Sequence, residues 1–362
     1  MIKKLWPYRV FVVLAVVTLL LQVLATRPRL VEKNYTYGLY PLISKTVRLL
    51  FGWLPFSIGD LLYAAAILKL LIVIWKAIKT GRQTFSKAHA GVAVCKVACA
   101  LLWVYVVFNV LWGLNYSRQG IVRQVGIWEQ PYTPEDVVQL TQALQQRLNA
   151  LAETTDTSGR YEMDQNAKLF QKALLVYRDA EKSYPFLKYS YPSFKPSLYS
   201  GIGHFIGFTG YYNPFSGEAQ IKTSIPIFLK PFVAVHEIAH QLGYAKENEA
   251  NFVAFLAGRQ SGDVHFLYST YYNLYQYAYR EVVYRDSMAG KAFKEKLHPQ
   301  VVRDNETLKD YFISTRNRLE PLFARFYNQY LKWNRQESGL ESYNEVVALL
   351  IAYGKKWGWQ AI

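Results

Sequence analysis

Residues 230–255 read KPFVAVHEIAHQLGYAKENEANFVAF. Pro231 suits the first turn of a helix, where a missing N–H costs nothing, and Gly243 supplies the left-handed residue that ends one. The spacing predicts a helix from Pro231 to Gly243, with Val233, Ile238, Ala239 and Leu242 on its apolar face. His236 and His240 stand four residues apart, so their imidazoles share one face and can converge on one ion. Glu237 lies on the adjacent flank. Two imidazoles with a carboxylate beside them suit Zn²⁺. Zinc lowers the pKa of bound water to about 7, and a neighbouring carboxylate can move the proton to a leaving amine. A catalytic zinc site takes three protein ligands and keeps a fourth position open. The next expected helix, about 245–259, offers Glu247 and Glu249 as the third.

Working upstream, residues 184–226 are rich in Pro, Gly, Ser and Tyr. Two alternating runs, Ile202–Tyr212 and Glu218–Thr223, flank Asn213–Gly217 and predict a hairpin. Helices are expected over 133–152, opened by Thr133-Pro134-Glu135-Asp136, and over 165–182, 264–283, 305–335 and 340–353. The class is mostly α with a small β-hairpin or sheet, in one domain over 118–362.

The first 117 residues read as a membrane anchor. Residues 10–26 carry no charge, and 97–117 form an uncharged run of twenty-one. Three transmembrane helices are expected, at about 10–26, 58–78 and 95–115, the second interrupted by Lys69 near enough to its end to snorkel. Ala25-Thr26-Arg27-Pro28 is a poor cleavage site, so the first is read as retained. Leu39–Phe56, with Trp53, fits either an interfacial element or a solvated loop. Lys3, Lys4 and Arg9, with the acid-free loop Lys76, Lys79, Arg82 and Lys87, place those segments inside. An odd number of spans then exports the domain. The loop after the first span carries Arg27, Arg29, Lys33, Lys45 and Arg48 against Glu32, which weakens the bias.

The formal charge of +16 is concentrated in the N-terminal third around these apolar runs, which points to a membrane lipid surface. With no arginine-rich block or zinc-knuckle spacing, no nucleic-acid partner is expected. Cys95 and Cys99, the only cysteines, lie on one face of an apolar helix and read as packing residues. No G-x-S-x-G, P-loop or dinucleotide fingerprint occurs.

His236–His240 followed by Glu247-x-x-Ala-Asn251 resembles the zincin metallopeptidases of the glutamate-ligand branch. The whole run, with GYYNPFSGEAQ at 210–220, also resembles a bacterial family of membrane HExxH proteins of unknown function. The resemblance implies His236, His240 and Glu247 as zinc ligands, with Glu249 as the alternative to Glu247. It implies Glu237 as the catalytic base and Asn251 as an orienting neighbour. It also implies an extended peptide or protein substrate lying along Glu218–Thr223. Lys246 stands where the metzincins have a third histidine, so that branch does not fit. His204, Tyr211, Tyr212 or a tyrosine between 268 and 284 would stabilise the oxyanion. The resulting expectation is a zinc metallopeptidase of the bacterial cytoplasmic membrane with its site on the outer side. The alternative is a non-catalytic zinc-binding scaffold or sensor on the same fold.

Overall fold

The computed structural model describes residues 2–80, 87–128 and 130–362; Arg82 of the basic loop lies outside them. Helices Ile2–Ala25, Ile58–Thr80 and Lys87–Leu111 contain apolar stretches long enough to cross a membrane: Trp6–Ala25, Ile58–Lys79 and Gly91–Leu111. The second runs unbroken through Lys69. The first and third pack side by side in parallel, with Gly91 near Tyr8 and Cys99 Sγ 3.5 Å from the Pro7 carbonyl oxygen toward their N-terminal ends. Cys95 is buried, and both thiols are free, as packing residues would be.

The ends at Ala25, Ile58 and Leu111 all meet the soluble domain. Arg335 donates to the Ala25 carbonyl at 2.6 Å. Glu218 accepts from the amides of Ile58 and Gly59 at 3.1 and 2.7 Å. Trp112, next after the third helix, donates from its indole to the His240 carbonyl at 3.1 Å. The third span ends sooner than its uncharged run suggested. Residues Gly113–Ser117 form a buried 3₁₀ turn, and Trp112 and Tyr116 are each 4% exposed. Those residues are apolar because they pack beneath the motif helix, not because they meet lipid.

Between the first two spans the chain is helical throughout 28–51 rather than a loop, passing through a π-helical stretch, Val31–Leu39. Helix Tyr40–Phe51 buries Tyr40, Ser44 and Arg48 on one stripe and exposes Leu42, Leu49 and Leu50 on the other, with Trp53 exposed beyond it. That is the profile of an interfacial element.

In the soluble domain, helix Pro134–Thr154 starts on a full capping box between Thr133 and Asp136. Its Val137, Leu140, Leu144 and Leu148 pack against helix Val264–Arg285. The tyrosine-rich face of the latter is core: Tyr268 and Tyr272 are buried and donate to Asp304 and Asn305. The expected helix 305–335 is two, Pro299–Thr315 and Glu320–Trp333. Asn317 separates them by accepting from the amides of Leu319 and Glu320 at 2.9 and 3.0 Å, a local cap that competes with helix continuation.

The sheet has three short strands, β1 (Phe194–Pro196), β2 (Gly210–Asn213) and β3 (Glu218–Ile221), in the order β1-β3-β2. The β2–β3 hairpin turns at Asn213–Gly217 as the sequence indicated, but Gly203–Ile206 is a helical turn, not strand. β3 is parallel to β1 and antiparallel to β2. Both of its edges are therefore taken, and the expected pairing of substrate along Glu218–Thr223 is excluded. The edge strands are β1 and β2, and β2 is the one beside the motif helix's Glu237.

Candidate metal centre

The motif helix runs Lys230–Gln241 and is buried along its whole length. Gly243, at φ +86°, turns the chain straight into helix Glu247–Gly258. A side chain at Gly243 would lie 3.0 Å from Tyr40 and 3.1 Å from Asn115, so the turn needs glycine for space as well as for φ. This tight link sets Glu247 against both histidines. Its Oε2 lies 3.2 Å from His236 Nε2 and 3.4 Å from His240 Nε2. All three ligand atoms lie within 4.8 Å of one another, and all three residues are buried. The imidazoles are perpendicular, with centroids 4.8 Å apart.

The surroundings fit a cation. His240 Nδ1 is 2.7 Å from the Tyr244 carbonyl oxygen, which fixes the proton on Nδ1 and turns the Nε2 lone pair to the cluster. Tyr327 donates to Glu247 Oε1 at 2.9 Å, whereas Oε2 accepts no hydrogen bond. Three Lewis bases thus face one point in a desolvated place, where a bare carboxylate oxygen is costly without positive charge. Two nitrogens and one oxygen form a set that a divalent metal ion accepts.

Burial favours the neutral form of Glu247, but His240 and His236 outweigh it and hold its carboxyl well below the usual carboxylate range. Burial opposes charge on His240 too, yet Glu247 and Glu237 push it up to about 9. His236 is lowered, chiefly by burial. Burial raises Glu237 to about 8 against the pull of His240, with Glu247 adding to the rise.

Glu237 points into the same space, and its Oε2 has no hydrogen bond. Gly210 makes room for it: a Cβ there would lie 2.6 Å from Glu237 Oε1 and 2.9 Å from the Gln220 carbonyl oxygen. Glu249 is directed elsewhere, 3.8 Å from Lys246 Nζ and packed on Gly120. Of the two acids, Glu247 is the one brought to the histidines. Asn251 neighbours His236 and donates to the Tyr343 carbonyl at 3.3 Å.

The cluster forms part of the wall of a cavity of about 720 Å³. Tyr211 and Tyr212 line it, but the Tyr211 hydroxyl is committed to Asp60. His204 instead meets Lys222 Nζ at 3.2 Å, and the tyrosines of 268–284 are outside the lining. His298 caps helix Pro299–Thr315. Sequence reasoning missed Tyr327 and Tyr343, which face the cluster from the C-terminal region; Tyr343 stacks on His236 at 6.3 Å. In a chain with 29 tyrosines no spacing singles these two out. It also missed that Tyr63, Leu101, Val104, Tyr105 and Phe108 of the second and third spans complete the wall.

A sequence model of one protein family matches residues 35–351, so the chain belongs to that family, described as a protein of unknown function (DUF3810). The match runs through the second and third spans and the metal cluster alike. No curated protein and no solved structure matches the chain.

Proposed function

We propose that the protein is a membrane-bound zinc peptidase in which His236, His240 and Glu247 hold the metal and Glu237 is the general base. The observation that carries this reading is the convergence of His236 Nε2, His240 Nε2 and Glu247 Oε2, beside the Glu237 carboxylate, on one cavity wall. Two imidazoles favour zinc over calcium or magnesium, which take oxygen ligands. The zincin resemblance of the motif supplies the reaction class. When bound, zinc supplies Lewis acidity toward a carbonyl oxygen and toward water.

The chain's own residues do the rest. Glu237 takes a proton from the water attacking the peptide carbonyl and returns it to the amine nitrogen as the C–N bond breaks. Gly210 leaves its carboxylate space at the cavity. Tyr327 ties down Glu247 Oε1 and so leaves Oε2 as the coordinating atom. An extended substrate pairs with the free edge of β2, whose Gly210, Tyr211 and Tyr212 line the cavity.

The domain sits on the outer side of a bacterial cytoplasmic membrane. Supporting this, the span ends near Ala25, Ile58 and Leu111 meet the domain, while the basic residues Arg9, Lys76 and Lys79 lie toward the opposite ends. Two of the contrary charges are engaged by the domain itself: Arg48 is buried against Tyr189, and Lys45 lies over Tyr191. A reporter active only outside the membrane should work when fused after Ile362 and be silent near Gln83. The reverse pattern discards the outward reading.

The direct test is elemental analysis of full-length protein with a peptide-hydrolysis assay. Wild type should carry about one zinc per chain. Glu237→Gln should keep zinc and lose hydrolysis by about 10²–10⁴-fold. Full zinc in the double variant His236→Ala, His240→Ala overturns the site. A Glu237→Gln variant indistinguishable from wild type in activity and cellular phenotype favours the scaffold.

A further inference from the structure

The cavity beside the metal cluster has two walls of different origin. The upper wall is the motif helix, β2 and the tyrosines of the C-terminal region. The lower wall is Leu101, Val104, Tyr105 and Phe108 of the third span, faced by Tyr63 of the second. All of its ionisable acids and histidines, Glu237, Glu247, His236 and His240, belong to the upper wall. Leu101 lies ten residues before the end of its span at Leu111, about 15 Å along the helix axis and near the middle of a bilayer about 30 Å thick.

The lower wall is open to lipid. Leu101 is 67% and Val104 59% exposed although both line the cavity. The first and third spans pack on each other, whereas the second packs closely on neither. The cavity therefore reaches from the metal ligands sideways and down into the hydrocarbon region. We infer that the site takes peptides carrying a covalently attached acyl chain, with the chain lying between the second and third spans and the peptide at the cluster. This deepens the peptidase reading and rests on it for the reaction.

Size and chemistry select this occupant. Below Trp112 the lower wall offers a hydrophilic peptide no charged partner, only the hydroxyls of Tyr63 and Tyr105 among apolar side chains. A helix with its side chains is about 10–12 Å across, whereas the cavity is about 720 Å³, part of which belongs to the metal cluster. A single hydrocarbon chain is narrow enough, and it removes apolar wall from any water that enters.

The test uses full-length protein in phospholipid nanodiscs and a hexadecanoyl peptide with a photoactivatable diazirine near the end of its acyl chain. Labelled residues are mapped by mass spectrometry. Label should concentrate on Leu101–Phe108 and around Tyr63. Excess hexadecanoyl peptide should suppress it, and the same peptide without the acyl group should not. Leu101→Trp and Val104→Trp should lower labelling about tenfold, the effect of excluding about two methylenes from the slot. Leu101→Ala, which widens the slot, should keep it, and Leu71→Trp on the exposed second span should leave it unchanged. Label spread evenly over the lipid-facing surface overturns the inference. So does equal competition by the unacylated peptide, or by an unacylated single-span helical peptide. The labelling does not require metal. Saturable label without zinc sustains the acyl slot and sinks the peptidase, whereas zinc and hydrolysis without label do the opposite.

Discussion

Two buried glutamates sit where the soluble domain meets the membrane, and they are used in opposite ways. Glu218, on β3, is fully buried and fully partnered. It accepts from Lys195 Nζ at 2.6 Å, from Ser57 and Ser216 hydroxyls at 3.0 and 2.8 Å, and from two amides that open the second span. A negative charge at a helix N-terminus, accepting its orphan N–H groups, is a stabilising joint. Glu247 is as well buried, but it has one hydroxyl donor and turns its other oxygen to two imidazoles. Burial does not tell the two apart. The donors do: an acid surrounded by N–H and O–H groups is structural, and an acid facing other Lewis bases is built for a cation.

Exchanging each carboxylate for an amide puts this contrast to its strongest test. Glu247→Gln should weaken zinc binding on the order of a thousandfold, one ligand's part of about 10–16 kcal/mol. In metal-free protein it should lower the unfolding midpoint less than Glu218→Gln does, since only the pairing with the two histidines is lost; an equal fall would show that Glu247 is a joint like Glu218. Glu218→Gln should do the reverse. Removing one partner of the buried Lys195 pair costs about 3 kcal/mol or more, read as a lower unfolding midpoint in detergent, with zinc still bound by the folded fraction.

A smaller effect isolates the base from the ligands. Gly210→Ala forces a methyl within 2.6 Å of the Glu237 carboxylate. Hydrolysis should drop about 100-fold, the cost of roughly 1 Å of misplacement, with zinc content unchanged. Loss of zinc in that variant would mean that the sheet supports the ligands directly. The smallest effect is Tyr327→Phe, which removes the lone hydroxyl donor to Glu247. Zinc affinity measured by chelator competition should fall about tenfold. No change would make Tyr327 mere packing.

The sequence made the cluster legible because its information is local. The i, i+4 histidines, the Pro231 start and the Gly243 stop each act within one or two turns, and the short link to Glu247 limits which acids can reach. Choosing Glu247 over Glu249 required the packing of one helix on another. The third span misled for a related reason. Trp112, Leu114 and Tyr116 are as apolar as the residues before them, and hydropathy does not distinguish a lipid from a protein interior. β3 gave its hairpin partner through the Asn213–Gly217 turn. Its parallel pairing with β1, residues 194–196, joins segments with no local signal, so its central place was hidden. The lower cavity wall was likewise invisible, because nothing in residues 63 or 101–108 marks them as neighbours of position 240.

The last carbonyls of the motif helix have an unusual set of partners. His240, Gln241 and Gly243 offer their oxygens to the side chains of Trp112, Tyr40 and Arg118, at 3.1, 2.8 and 3.1 Å. All three partners precede the helix by more than a hundred residues, and on the ribosome they emerge first. The site is thus finished against a surface that exists only once the second and third spans have been threaded correctly. A chain that fails insertion has its helix end unlatched and its ligands unaligned. Biogenesis itself becomes the safety catch: whatever chemistry the cluster performs is withheld until the molecule is in its proper place.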